Sequence, residues 1–432
     1  MKTIFTISSH HDPYVPSMFE TQPNTPAHRE AIAHLLRRTA FGPRPGRVDA
    51  MAHRPLADVV DETLADIGDR AVGLDLVEPS EDAEDEVIAW WFDRINDPRT
   101  GLHERMVWYW HGHFTTAIDN VGAVLMWEQH RLVRKHALGN FRTLTKAMLE
   151  DGAMLVYLDG DGSQGEQPNE NLARELMELF TLGVGNYTED DVKAAARALS
   201  GYWVDWDTAE VTFEPAEHYD RPIQFLGSRS RFSAADIADA LCDQTACARH
   251  VARRLHRHLV GVDPDDNHLD RLAAVFRGAD LEILPLVEAI VRGDSFWANH
   301  RSRPRQPVEW LIAATAALGA DNIEFDPWEL EVSGQVPFNP PNVAGWPEGD
   351  RWVGGSQVLG RISHVLQLSR EEIIDTNIEP TVDAVLERCS IWDISDATRA
   401  ALDGAARDQP EYAQRLELLF ALTLASPEFA LA

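Results

Sequence analysis

The chain has 432 residues, 44% of them apolar, enough to build a sizeable core, so a disordered chain is excluded. Asp plus Glu exceed Lys plus Arg by 31 (70 against 39), and a surface this negative repels the phosphates of nucleic acid and of anionic membranes. Three cysteines are too few for a disulfide framework, and no run of 18 apolar residues exists to span a bilayer.

Residues 1–25, rich in proline and without periodicity, are expected to form a mobile arm. They lack the apolar stretch of a signal peptide, so a cytoplasmic location is expected. Residues 26–432 read as a single large helical domain. Helical patterning begins at AHREAIAHLLRRTAF, where Ile32, Leu35 and Leu36 share a face, and stops at Gly42-Pro43. An acidic run at 78–86 reads as a linker. LHERMVWYWHGHF, VGAVLMWEQHRLVRKHAL, FRTLTKAMLEDGAMLVYL, NENLARELMELFTLG and EDDVKAAARALSGYW then follow with a 3.6-residue period. Near 203–230 the pattern changes, and WVDWDTAEVTFEP alternates as a short hairpin would, marking a place where the domain could subdivide. Helical signals return at SAADIADALC, ACARHVARRLHRHLV, LEILPLVEAIVRG and PVEWLIAATAALG. GQVPFNPPNVAGWPEGDRW is too rich in Pro and Gly for regular structure, and EYAQRLELLFALTLASPEF closes the chain with a helix pair. With no βαβ alternation and no repeat, the fold class is all-α: a multi-helix globular fold with long irregular loops and at most one hairpin.

Several of these segments are similar to the DUF1800 family, a bacterial domain of unknown function. They are HLLRRTAFGP, WYWHGHF, HALGNFRTL, PNENLARELMELFTLGVGNYTEDDV, ALSGYW, ACARHVARRL, PPNVAGWP and LASPEFAL, in that order from about residue 30 to the end. The resemblance implies no settled activity. It implies export for many members, and a partner, an alkaline-phosphatase-like protein encoded nearby. Around His218 the chain departs from the family's His-Asp-Lys tendency, reading EHYDRPIQFLG with Tyr219 after the histidine.

Polar residues of ligand type concentrate between 111 and 178. On a helix over 169–183, Asn171, Arg174, Glu175 and Glu178 share one face, with Leu172, Leu176, Leu179 and Phe180 on the other. Such a face suits a solvated helix, with Glu170–Arg174 and Arg174–Glu178 pairs, as well as it suits a site. Upstream, Asp159, Asp161, Ser163, Gly165, Gln167 and Glu170 fall at the spacing of a calcium loop, although Gln164 stands where that loop wants glycine. His111 and His113 point to different sides of a helix, but reach one ion if Gly112 breaks it. His130, His136, Glu175 and His218 would then complete a shell for a divalent metal such as zinc, manganese or iron. A histidine among tryptophans suits a core residue bonded to a carbonyl equally well. Cys242, Cys247 and His250 lack the second pair that structural zinc prefers. Arg249, Arg253 and Arg257 line one helix face, for acidic residues of this chain or for an anionic substrate. Asn342, Trp346 and Trp352 sit in a rigid loop that could line a pocket.

Three functions fit. The first is a metal-assisted, hydrolase-like enzyme with His111, His113, Glu175 and Glu178 as catalytic residues, and with Asn171, Arg174, Asn342 and Trp346 binding substrate. Its metal ligands would come from His111, His113 and His136. The second is a non-catalytic assembly protein for the phosphatase-like partner. The third is a scaffold holding calcium through Asp159, Asp161 and Glu170.

Overall fold

The computed structural model describes residues 21–68, 79, 83–319, 327–354, 359–361, 363–365 and 377–432. Of the expected arm, residues 1–20 lie outside this set, as does part of the acidic run at 78–86. The protein is mainly helical among the described residues, and the strands there form two small antiparallel hairpins. Among the described residues no helix is long and apolar enough to cross a membrane.

Local chemistry starts these helices. Thr188 with Asp191, and Ser233 with Asp236, form reciprocal capping boxes at Glu189–Ala198 and Ala234–Cys242. Asp151 caps Gly152–Tyr157, accepting from the Met154 N–H. Residues 141–158, continuous in sequence pattern, therefore become two helices, Phe141–Leu149 and Gly152–Tyr157. Thr245–Val260 stops at Gly261, whose φ of +96° a side chain would resist, and Arg303 packs directly against it.

Leu102–His113, the segment LHERMVWYWHGH, is buried almost all round, as is Pro307–Leu318, which packs near it. Apolar residues on every side mark a central helix. Trp91 of Glu84–Asn96 packs on its Trp108 with ring centroids 5.2 Å apart, and Trp110 donates to the Ala137 carbonyl at 2.8 Å. Two of its charged residues meet buried partners of opposite charge. Glu104 accepts from Trp91 Nε1, Arg94 Nε and Arg134 Nη1 at 3.0, 3.1 and 2.8 Å. Arg105 pairs with Glu309 of Pro307–Leu318.

The expected hairpin is β1 (Tyr202–Val204) with β2 (Val211–Phe213), pairing Tyr202 with Phe213 and Val204 with Val211. A second, β3 (Ile223–Phe225) with β4 (Ser228–Ser230), was not expected. Its turn residues Leu226 and Gly227 both have positive φ, and Asp191 accepts from the Leu226 N–H at 2.9 Å.

The Pro- and Gly-rich loop after the Pro327–Ser333 helix seals the end of the central helix. Phe338 is fully buried, its carbonyl accepts from the Ile118 N–H, and Asn339 donates to Asp119 at 2.8 Å. Gly345 has φ of +87°, and a Cβ there would lie 2.5 Å from the Gly112 carbonyl oxygen. Gly345→Ala is expected to cost about 1–3 kcal/mol and to lift the loop. Gly349→Ala, where nothing lies near, should lose less. Urea melts with limited proteolysis check both.

Candidate functional site

His111 and His113 leave the central helix in different directions. The His111 ring stands 5.0 Å from Trp91 and 5.2 Å from Phe338, in a sealed aromatic box that also holds His130. Burial pulls its pKa down to about 3, so the imidazole is neutral. His113 Nε2 lies 2.9 Å from the Phe180 carbonyl, and burial holds its pKa well down too.

That carbonyl belongs to a π-helical turn, Leu176–Thr181, which continues Asn171–Glu175. His250 Nε2 at 2.7 Å and Arg254 Nη1 at 3.0 Å reach the neighbouring Leu179 carbonyl. The wide turn leaves its carbonyls to side chains, and His113, His250 and Arg254 supply the partners. His113 thus meets the backbone of the segment that carries Glu178, while the Glu178 carboxylate accepts from Tyr187 Oη at 2.7 Å. The expected Arg174–Glu178 pair is absent: Arg174 reaches Glu189 at 2.8 Å and Glu170 at 3.1 Å. Glu175 is half-buried, and burial followed by the Glu178 charge raises its pKa.

In the loop ahead, Asp159 accepts from Asn171 Nδ2, Asp161 from the Val204 N–H at 2.8 Å, and Glu170 from Arg174. Each carboxylate has a separate partner. Among the described residues, no three His, Cys, Asp or Glu side chains gather closely enough to hold a metal ion. Cys242, Cys247 and Cys389 are buried thiols, and Arg249 and Arg257 pair with Asp266, Asp270 and Asp263 of the same chain. Asn342 is exposed and accepts from the Ala344 N–H, and Trp346 is half-buried above the central helix end.

Of the residues expected to hold a metal, His136 and His218 line large openings, but not the same one. The His136 opening is a groove of about 830 Å³ between the end of Ile118–His136, the Glu150–Gly152 junction and the tip of the β1–β2 hairpin. Glu128, Arg131 and Lys135 stand on one wall, with Asp151 and Arg134 also lining it. Glu150 and Val211 also border a neighbouring lobe of about 400 Å³, flanked by Tyr202, Phe213 and His218. Groove and lobe together are of substrate size.

Asp151 is the chemically distinctive group. It is 6% exposed, and its Oδ2 accepts from Gln129 Nε2 at 2.7 Å and the Met154 N–H at 2.9 Å. Gln129 is itself oriented by Thr116 Oγ1, which donates to its Oε1 at 2.5 Å. Burial pushes the Asp151 pKa up to about 7, helped by the Glu128 charge and opposed by the two hydrogen bonds. A carboxyl poised there exchanges a proton in either direction at neutral pH. Sequence reading passed over Asp151 because it lies inside an unbroken helical period; the Asp-Gly pair at 151–152, a cap followed by a small residue, was the available signal.

A family model described as "Protein of unknown function (DUF1800)" matches residues 34–431, nearly the whole chain. The chain belongs to the DUF1800 family. No curated protein and no solved structure gives a match. Within this DUF1800 chain, the matched span contains the central helix, the Asp151 groove and the Gly345 loop, so all three lie in the family's common region.

Proposed function

We propose that this DUF1800 chain is a hydrolase that works by acid–base catalysis in the Asp151 groove on an extended, polyhydroxylated substrate of saccharide type. The observation that carries this is Asp151: a buried carboxyl on the groove wall, fixed by Gln129 and a helix N-terminus and titrating near neutrality. Glu128 and Glu150 supply further carboxylates in the same groove, the pairing that glycosidic hydrolysis uses. Tyr202 and Phe213 in the lobe, with Phe213 44% exposed, offer ring faces to sugar C–H surfaces. Carboxylates and guanidinium groups on facing walls suit hydroxyls, which both donate and accept.

The test is release of reducing ends from a panel of soluble polysaccharides and oligosaccharides. Asp151→Asn keeps the cap and the Gln129 contact, and is expected to cut kcat by about 10²–10⁴ while stability at neutral pH is kept or raised, since no charge is then buried. Phe213→Ala is expected to raise KM with kcat held. Full activity in Asp151→Asn, or no turnover of any saccharide, rejects the proposal. A metal-assisted version rests on His136 sharing the groove with these carboxyls. Stoichiometric metal in the wild type, lost in His136→Ala, would favour it.

A further inference from the structure

On the other side of the central helix the chain concentrates buried positive charge. Arg38, Arg105, Arg303 and Arg305 are each at most 6% exposed. Glu309 is the carboxylate among them, bonded to Arg105 and, at 2.9 Å, to Arg303. Arg38 Nη2 also donates to the Ala432 carbonyl oxygen at 2.6 Å. Nitrogen atoms of all four guanidinium groups are buried without a hydrogen-bond partner, among them Arg303 Nε, Arg105 Nη2 and Arg305 Nη1. In a chain of net charge −31, these four buried cations face the Glu309 carboxylate, a larger excess than that of Arg94 and Arg134 over Glu104. Buried charge in that excess is costly unless countered.

A cavity of about 180 Å³ opens beside the cluster. Arg303 and Gln306 form its inner wall, His258 and Arg257 of the Thr245–Val260 helix its side, and Glu348–Trp352 its roof. Burial, with Arg105 and Arg303 nearby, holds the His258 pKa well down, so its imidazole adds no charge but can donate or accept. At the rim Arg257 is braced by Asp263 and, at 3.6 Å, by Glu348. Of the four buried guanidinium groups Arg303 lines this opening, where a buried charge acts strongly, and Glu348 is the carboxylate on its wall.

We infer that this cavity is a binding site for a phosphate-type oxyanion, held by Arg303 and Arg257 with Gln306 and His258 as hydrogen-bonding partners. A compact dianion counters more of the excess than a carboxylate does, and guanidinium forks match its oxygens. The site is independent of the Asp151 groove.

The test is isothermal titration with inorganic phosphate in low-salt buffer, beside thermal melts with phosphate, sulfate or acetate at matched ionic strength. Phosphate is expected to bind one to one and to raise Tm with the logarithm of its concentration. Arg257→Gln should weaken binding by about tenfold or more, and Arg303→Gln further if it folds. Arg221→Gln, a distant exposed ion-pair residue, should leave it unchanged. No heat with phosphate, an equal Tm rise with acetate, or undiminished binding in Arg257→Gln overturns the assignment.

Discussion

Glu309→Gln is expected to lower stability by about 3–5 kcal/mol, among the largest effects of any single substitution in this protein. The carboxylate is 3% exposed, faces Arg105 and Arg303, and closes its own helix start by accepting from the Gln306 N–H at 3.0 Å. Its pKa is held well below the usual carboxylate range: burial alone would raise it, and the Arg105 and Arg303 charges overcome that. Conversely, Arg105 is drawn down to about 10 by burial against the pull of Glu309, so it remains charged at neutral pH. A neutral amide leaves four buried arginines without their common carboxylate. The penalty comes from stranded cations more than from lost contacts, so it should shrink when one is also removed. The double variant Glu309→Gln, Arg105→Met is thus expected to lose clearly less than the sum of the single losses in urea. Strict additivity would show that the arginines are not coupled through Glu309.

What the sequence disclosed follows the physics of each feature. Helix periodicity is local, and the central helix, the Gly42 stop and the β1–β2 hairpin could be read directly. Divergence of His111 and His113 follows from 100° per residue on a helix that Gly112 does not break. The π turn was not legible, because it depends on carbonyl partners 67 to 75 residues away, at His113, His250 and Arg254. It also displaces Glu178 from the i,i+4 register, which is why Arg174 turns to Glu189. The second hairpin hides because Leu226 takes the positive-φ position where Asn or Asp is the usual signal. For the site, residue type was a poor guide. Histidines and glutamates drew notice by their density, whereas Asp151 gains its character from burial and from Gln129, both tertiary properties.

Acid should unfold this protein early, with stability falling steeply once the pH drops below about 6.5. His34, His111, His113, His130, His250, His256 and His258 are neutral in the fold because burial lowers their pKa values, to about 3 for His111 and about 4 for His250 and His256. In the unfolded chain each titrates near 6.5. The unfolded state therefore binds more protons throughout the window between 6.5 and the folded values, and there stability rises with pH and is lost as pH falls. Each histidine withdraws about 1 kcal/mol over the first pH unit below 6.5 and about 1.4 kcal/mol per unit afterwards. Seven together withdraw about 7 kcal/mol by pH 5.5, comparable with the whole stability of an ordinary domain. Asp151 opposes them, since its folded pKa near 7 exceeds the unfolded value of 3.8, and it offsets roughly one histidine. Glu309, with its pKa depressed, begins to lose its contribution only below 4.5 and lies outside the window. Urea melts from pH 8 to 5 should thus show a slope near pH 5.5 equal to a net uptake of about five protons on unfolding. A flat profile between pH 7 and 5.5 would mean that these imidazoles are already charged or exposed in the fold. His111→Phe, which keeps a ring in the aromatic box, should remove about one proton from that slope. The box would then be titrating through His111 as a core residue, and a slope unchanged by the substitution would assign its protons elsewhere.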